Sequence, residues 1–144
     1  MIRQAVAIAV FAAVTGASHA NSPIQLSHIE ANVPDAADFE SLMMRALLAY
    51  FRSNGLPRVD RVEFKLLRDA PTQTGISFPK YYAWVTVFEG DAEVQQGAVR
   101  LAAVEKRRFE ITDFVSRSQA HSNTTSLETL FPSQLAPVIL QLAR

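Results

Sequence analysis

Residues Lys80 to Glu89 read KYYAWVTVFE, rich in aromatic and β-branched side chains and apolar at odd and even positions alike. A half-buried strand alternates apolar with polar residues, so a run that is apolar on both faces suits the centre of a sheet. Three other segments do alternate. Val62, Phe64 and Leu66 are interleaved with Arg61, Glu63 and Lys65 within Val59 to Leu67. Val99, Leu101 and Ala103 are interleaved with Ala98, Arg100 and Ala102 within Gln95 to Glu105, and Phe109 and Ile111 with Arg108, Glu110 and Thr112. Gly90-Asp91 and Lys106-Arg107 join the last three segments by turns. Parallel pairing needs long crossovers, so these short connections predict an antiparallel meander.

Helical periodicity lies on either side of the strands. Asp35 stands where an N-cap belongs, Asp38 places an acid in the first turn, and Asn54-Gly55 supplies a stop. Between them Phe39, Leu42, Met43, Ala46, Leu47 and Tyr50 form a core stripe at 3–4 spacing. A second stripe, Met44, Leu48 and Phe51, needs its own cover: the C-terminal helix packed on it, or else a groove or dimer surface. Residues 116–125 are polar and predict a surface loop, with Thr125 and Glu128 as a capping box. Leu127, Leu130, Phe131, Leu135, Val138, Ile139 and Leu142 then follow a helical stripe. Pro132 and Pro137 predict a break near Phe131-Pro132 and a second helix to about Ala143. Residues 21–34 lack helical periodicity; Ile24, Leu26 and Ile29 read as an edge strand or a packed lead-in. The fold class is α+β over 35–144: an N-terminal helix packed on a four-stranded antiparallel meander, followed by a broken C-terminal helix.

Ahead of this domain stands an export signal. Arg3 is a short basic n-region, Ala5 to Val14 an uncharged apolar run of about ten residues, and Ser18 and Ala20 are the small residues a signal peptidase reads. The run is short of the ~20 residues that span a bilayer. Cleavage after Ala20 is expected, delivering residues 21–144 to the periplasm or the medium without a transmembrane anchor.

The sequence has no cysteine, which removes disulfides, thiol catalysis and Cys-ligated metals. Its 14 basic residues balance its 14 acidic ones, and loss of residues 1–20 takes one arginine and no acid away, leaving a charge near −1. A nucleic-acid binder carries a positive excess or stripe, so nucleic acid is not an expected partner. His28 and His121 lie in non-periodic polar stretches without a second histidine at metal-ligating spacing, and no nucleophile elbow or Gly-rich phosphate loop occurs. No catalytic residue, metal or cofactor is expected.

The element order over Asp35 to Ser116 resembles cystatin-like and NTF2-like domains, in which a sheet curls around a helix. Cystatin protease inhibitors carry a Gln-x-Val-x-Gly hairpin, and the nearest segment here, Val94-Gln95-Gln96-Gly97, departs from it. Protease inhibition is therefore the last-placed reading. NTF2-like folds host enzymes and non-catalytic modules, so the resemblance alone chooses no activity.

Two candidate sites follow. The stretch from Asp69 to Tyr82 is longer than a tight hairpin needs, is restricted by Pro71, Gly75 and Pro79, and displays Thr72, Gln73, Thr74, Ser77 and Lys80, with Tyr81 and Tyr82 at its exit. Proline stiffening and tyrosine contacts suit a recognition loop for another cell-envelope protein; the competing reading is a hairpin loop whose hydroxyls satisfy its own backbone. The second is a small-molecule cavity between helix and sheet, implied by the NTF2-like resemblance, with Tyr50, Tyr82 and Trp84 on its walls. Asp60, Glu63 and Glu110 alternate outward, whereas Asp113 shares the parity of Phe109 and Ile111 and is expected inward, as a buried acid or paired with Arg100 or Arg45.

Overall fold

The computed structural model describes residues 23–144, with side chains from His28 onward; the expected export signal at residues 1–20 lies outside the described residues. The elements are α1 (Pro23–Asn32), α2 (Ala36–Ser53), β1 (Arg61–Leu66), β2 (Lys80–Glu89), β3 (Ala92–Val104), β4 (Arg108–Ser116), α3 (Arg117–Ser122), α4 (Thr124–Leu130) and α5 (Ala136–Leu142). The strands form one antiparallel meander in the order β1-β2-β3-β4, the α+β architecture expected of this pattern.

Two hydrophobic layers explain why β2 is apolar throughout. On one face Tyr81, Ala83, Val85 and Val87 meet Met43, Leu47 and Phe51 of α2, together with Val99, Leu101 and Phe109. On the other, Tyr82, Trp84, Ala98 and Val115 lie under Ala120, Leu127, Phe131, Leu135 and Ile139 of the C-terminal helices. The two helical layers thus sandwich the sheet, which corrects the expectation that the C-terminal helix covers the second stripe of α2. Met44 and Leu48 are half-buried and Phe51 is buried against the sheet itself. The outer strands β1 and β4 approach α2 more closely than the inner pair, so the sheet curls towards the helix.

Local rules account for most boundaries. Gly55 takes φ of 95° after α2, and the Leu56 N–H donates back to the Phe51 carbonyl at 3.1 Å, closing the helix. Asp35 has N-cap backbone geometry but makes no side-chain cap bond. Residues 117–122, expected as loop, form α3, because the Ser116 side chain and Gln119 cap each other reciprocally. Asn123, rather than Thr125, caps α4 by accepting from the Ser126 N–H. Residues 23–32, expected as strand or lead-in, are helical.

The end of α1 has a structural task. Asn32 is the one buried polar or charged residue among those described. Its Nδ2 donates to the His28 carbonyl at 2.8 Å, its Oδ1 accepts from the Glu105 N–H at 2.9 Å, and its carbonyl accepts from the Lys106 N–H at 2.9 Å. Glu105 and Lys106 have φ of 54° and 62°, left-handed values costly for side chains that branch from a Cβ. Asn32 thus satisfies both amides of a strained β3–β4 turn. Asn32→Ala takes the side-chain acceptor from the Glu105 N–H of this turn and is expected to destabilise the protein by about 1 kcal/mol, read as a lower urea midpoint with an unchanged slope.

Candidate functional site

The segment between Leu67 and Pro79 joins β1 to β2 and is closed by its own polar groups. Thr72 and Lys80 exchange backbone hydrogen bonds at 2.9 Å in each direction, pinching the loop at its base. The Thr72 and Tyr82 hydroxyls lie 2.8 Å apart. Beyond the pinch, the Ser77 N–H and hydroxyl both donate to the Thr74 carbonyl, at 3.1 and 2.7 Å. The Gln73 amide donates to the Gly75 carbonyl at 3.0 Å and to the Ser77 carbonyl. Gly75, at φ of 53°, permits the reversal. Pro79 is buried, and its carbonyl accepts from the Ala103 N–H at 2.9 Å, which fastens the loop to β3.

Thr72, Gln73, Thr74, Ser77 and Lys80 therefore come together, but Thr72, Gln73 and Ser77 use their side chains to hold the loop, and Thr74 contributes its carbonyl. The Lys80 ammonium donates to the Phe78 carbonyl at 2.8 Å; partial burial, and then the nearby Arg100 charge, lower its pKa. Tyr81 and Tyr82 are both buried, on opposite faces of the sheet. Tyr81 packs edge-on against Phe39 and Phe109, and burial raises the pKa of its phenol. Neither tyrosine ring is placed to contact a partner broadly. What the loop projects instead is Ile76, 85% exposed, and Phe78, 41% exposed. Sequence reading passed over both. Their signal was two large apolar residues inside a turn-rich, non-periodic segment, where no core stripe claims them.

The cavity residues are divided between the two faces of the sheet and line no common cavity wall. Tyr50 packs on the α2 side against Phe51 and Phe114, whereas Trp84 lies under the C-terminal helices. Asp113 changes sides because the β3–β4 register shifts between Arg100 and Leu101. Arg100 pairs with Asp113 and Leu101 with Ile111, so Thr112 is the extra residue of a bulge. The parity shared with Phe109 and Ile111 is lost, which corrects the face expected of Asp113, while the expected pairing with Arg100 is present at 2.5 Å. Arg100 in turn donates to the Thr112 hydroxyl at 3.0 Å and to the Leu130 carbonyl. Burial raises the pKa of Tyr50, and the Asp113 charge adds to this.

An open depression of about 520 Å³ lies between β3, α3 and the residues that follow α5, lined by Gln96, Arg117, His121 and Arg144 among others. Arg117 donates to the Ala143 carbonyl there at 2.9 Å and His121 contacts the same oxygen, so the Arg117 charge caps the end of α5. Among the described residues no group of three or more His, Asp or Glu side chains is placed to hold a metal ion. A search against protein-family models, curated proteins and solved structures finds no match to this chain.

Proposed function

We propose that this chain is an exported, non-enzymatic binding module that engages another cell-envelope protein through the loop between β1 and β2. The observation that carries the reading is a tip holding Ile76 and Phe78 in solvent while the loop's own hydrogen bonds fix its shape. Exposing large apolar side chains is unfavourable unless a partner covers them, and a loop already ordered loses little entropy on binding. The export signal in residues 1–20 supplies the compartment. A small-molecule pocket of NTF2-like kind has less support, since Tyr50 and Trp84 belong to different cores.

The test is capture from native envelope extract, with the parent protein compared with Ile76→Ser/Phe78→Ser. Both substitutions lie outside the two cores, so the variant is expected to keep its unfolding midpoint while losing a partner held by the parent. Equal capture by both proteins would remove the loop from the binding surface.

A further inference from the structure

We propose that this chain forms a twofold dimer by pairing strand β1 with β1 of a second copy, in one specific register. Of the sheet's two edges, β4 is interrupted by the Thr112 bulge and contacted by α2, α3 and α4, a blunted edge. β1 pairs without a bulge and, of the helices, meets chiefly α2, across its face rather than along its edge. The Leu67 N–H donates to the Tyr82 carbonyl at 2.8 Å, and the register continues 66↔83 and 65↔84, so the odd-numbered residues of β1 bond to β2. By the alternation of an antiparallel ladder, the N–H and C=O groups of Val62, Phe64 and Leu66 then point outward. No hydrogen bond among the described residues uses these groups outside the sheet.

This parity decides how two copies can pair. Outward groups belong to even-numbered residues, so even must face even. The arrangement with Phe64 opposite Phe64 of the second copy places Val62 opposite Leu66 on the α2 face. On the other face it sets Glu63 opposite Lys65, twice, by symmetry. These charged pairs fall at non-hydrogen-bonded positions, where facing side chains are closest. Lys65 makes no ion pair among the described residues, and Glu63 already has Arg61 at 2.5 Å, a charged row the second copy extends. Sliding by two residues in either direction sets Glu63 against Glu63 or Lys65 against Lys65. Both slips are repulsive, and a slide by four, which sets Arg61 opposite Glu63, pairs only residues 61–63 of β1, so one register combines charge matching with pairing along most of the strand.

The α2 side completes the surface. A groove of about 310 Å³ runs between α2 and the β1 edge, lined by Glu40, Met44, Val62, Glu63 and Phe64. Phe64 and Met44 are only half-buried in the single chain. Continuing the sheet lays Phe64 and Val62 of the second copy along that groove, covering the part of the second α2 stripe that the sheet leaves partly open.

Sedimentation velocity tests the register directly. The parent is expected to sediment as a dimer that weakens with salt. Glu63→Lys and Lys65→Glu should each turn both attractive pairs into repulsive ones, weakening the dimer roughly tenfold or more and shifting the protein to monomer. Mixing the two variants in equal amounts restores opposite charges at both positions, so a heterodimer should reappear, which a misfolded variant could not form. A parent that stays monomeric, a Glu63→Lys variant that stays dimeric, or a mixture that fails to associate would each overturn the proposal.

Discussion

Gly97→Ala is expected to destabilise the protein by about 3 kcal/mol, against the usual sign for a glycine in a strand. Gly97 has ordinary strand conformation, so adding a methyl would normally help by restricting the unfolded chain. Here the space is occupied. A Cβ built at Gly97 would lie 2.4 Å from the Val115 carbonyl oxygen and 2.5 and 2.8 Å from the Phe114 ring. The ring is itself held edge-on by Phe51 at 5.1 Å and Tyr50 at 6.3 Å between centroids. It could move only by disturbing α2, and the carbonyl only by distorting β4. The steric cost therefore exceeds the entropic gain of roughly 0.5–1 kcal/mol. Urea unfolding reads the outcome as a lower midpoint, and a midpoint equal to or above the parent's would show that the aromatic cluster does not seal this site. Adding Phe114→Ala should give no full recovery, because the clash with the backbone carbonyl remains.

The same β4 segment shows where sequence patterning reaches its limit. Alternation identified three of the strands, because their inward side chains repeat every second residue, and the doubly apolar run identified β2, whose bounds match those expected. A bulge breaks that counting without leaving a mark in composition. Thr112 looks like any outward polar residue, yet as the unpaired residue it moves Asp113 to the face of Arg100. The placement of the C-terminal helices was hidden for a related reason. Periodicity shows that α4 and α5 have an apolar face, but it does not say which surface the face meets. The doubly apolar β2 carried that information: a strand buried on both sides needs a layer on each.

The candidate loop was legible as a location and misleading as chemistry. Length, prolines and hydroxyls marked residues 69–82 as a long connection, of which 80–82 belong to β2, and polarity drew attention to the side chains that build the loop. Thr72 meets the Tyr82 hydroxyl, and Gln73 and Ser77 close the tip. A hydrogen-bonding side chain in a turn is as well suited to its own backbone as to a ligand, and sequence does not distinguish the two. Ile76 and Phe78 stand out once burial is known. Asn32 escaped notice similarly, since its importance depends on a turn 73 residues away.

The second large effect is expected at Leu47, and it tests whether the two cores act as one. Leu47 is fully buried on the face of α2 that meets the sheet. Leu47→Ala removes its apolar transfer energy and leaves a cavity, for an expected loss of about 3–4 kcal/mol. Collapse around the gap is opposed on both sides, by the strands below and by the rings of Phe39, Phe51 and Phe114, which are tied into edge-on contacts. Trp84, the single tryptophan, lies in the other core beneath the C-terminal helices. Its fluorescence therefore reports on a layer that Leu47 does not touch, while far-ultraviolet circular dichroism reports helix throughout. The sheet is shared, with Tyr81 and Tyr82 adjacent on one strand and committed to opposite layers, so neither layer retains its floor if the other is lost. Both probes should then move together to the same lower urea midpoint. A Trp84 transition left at the parental midpoint while circular dichroism shifts would mean that the C-terminal layer holds the sheet without α2.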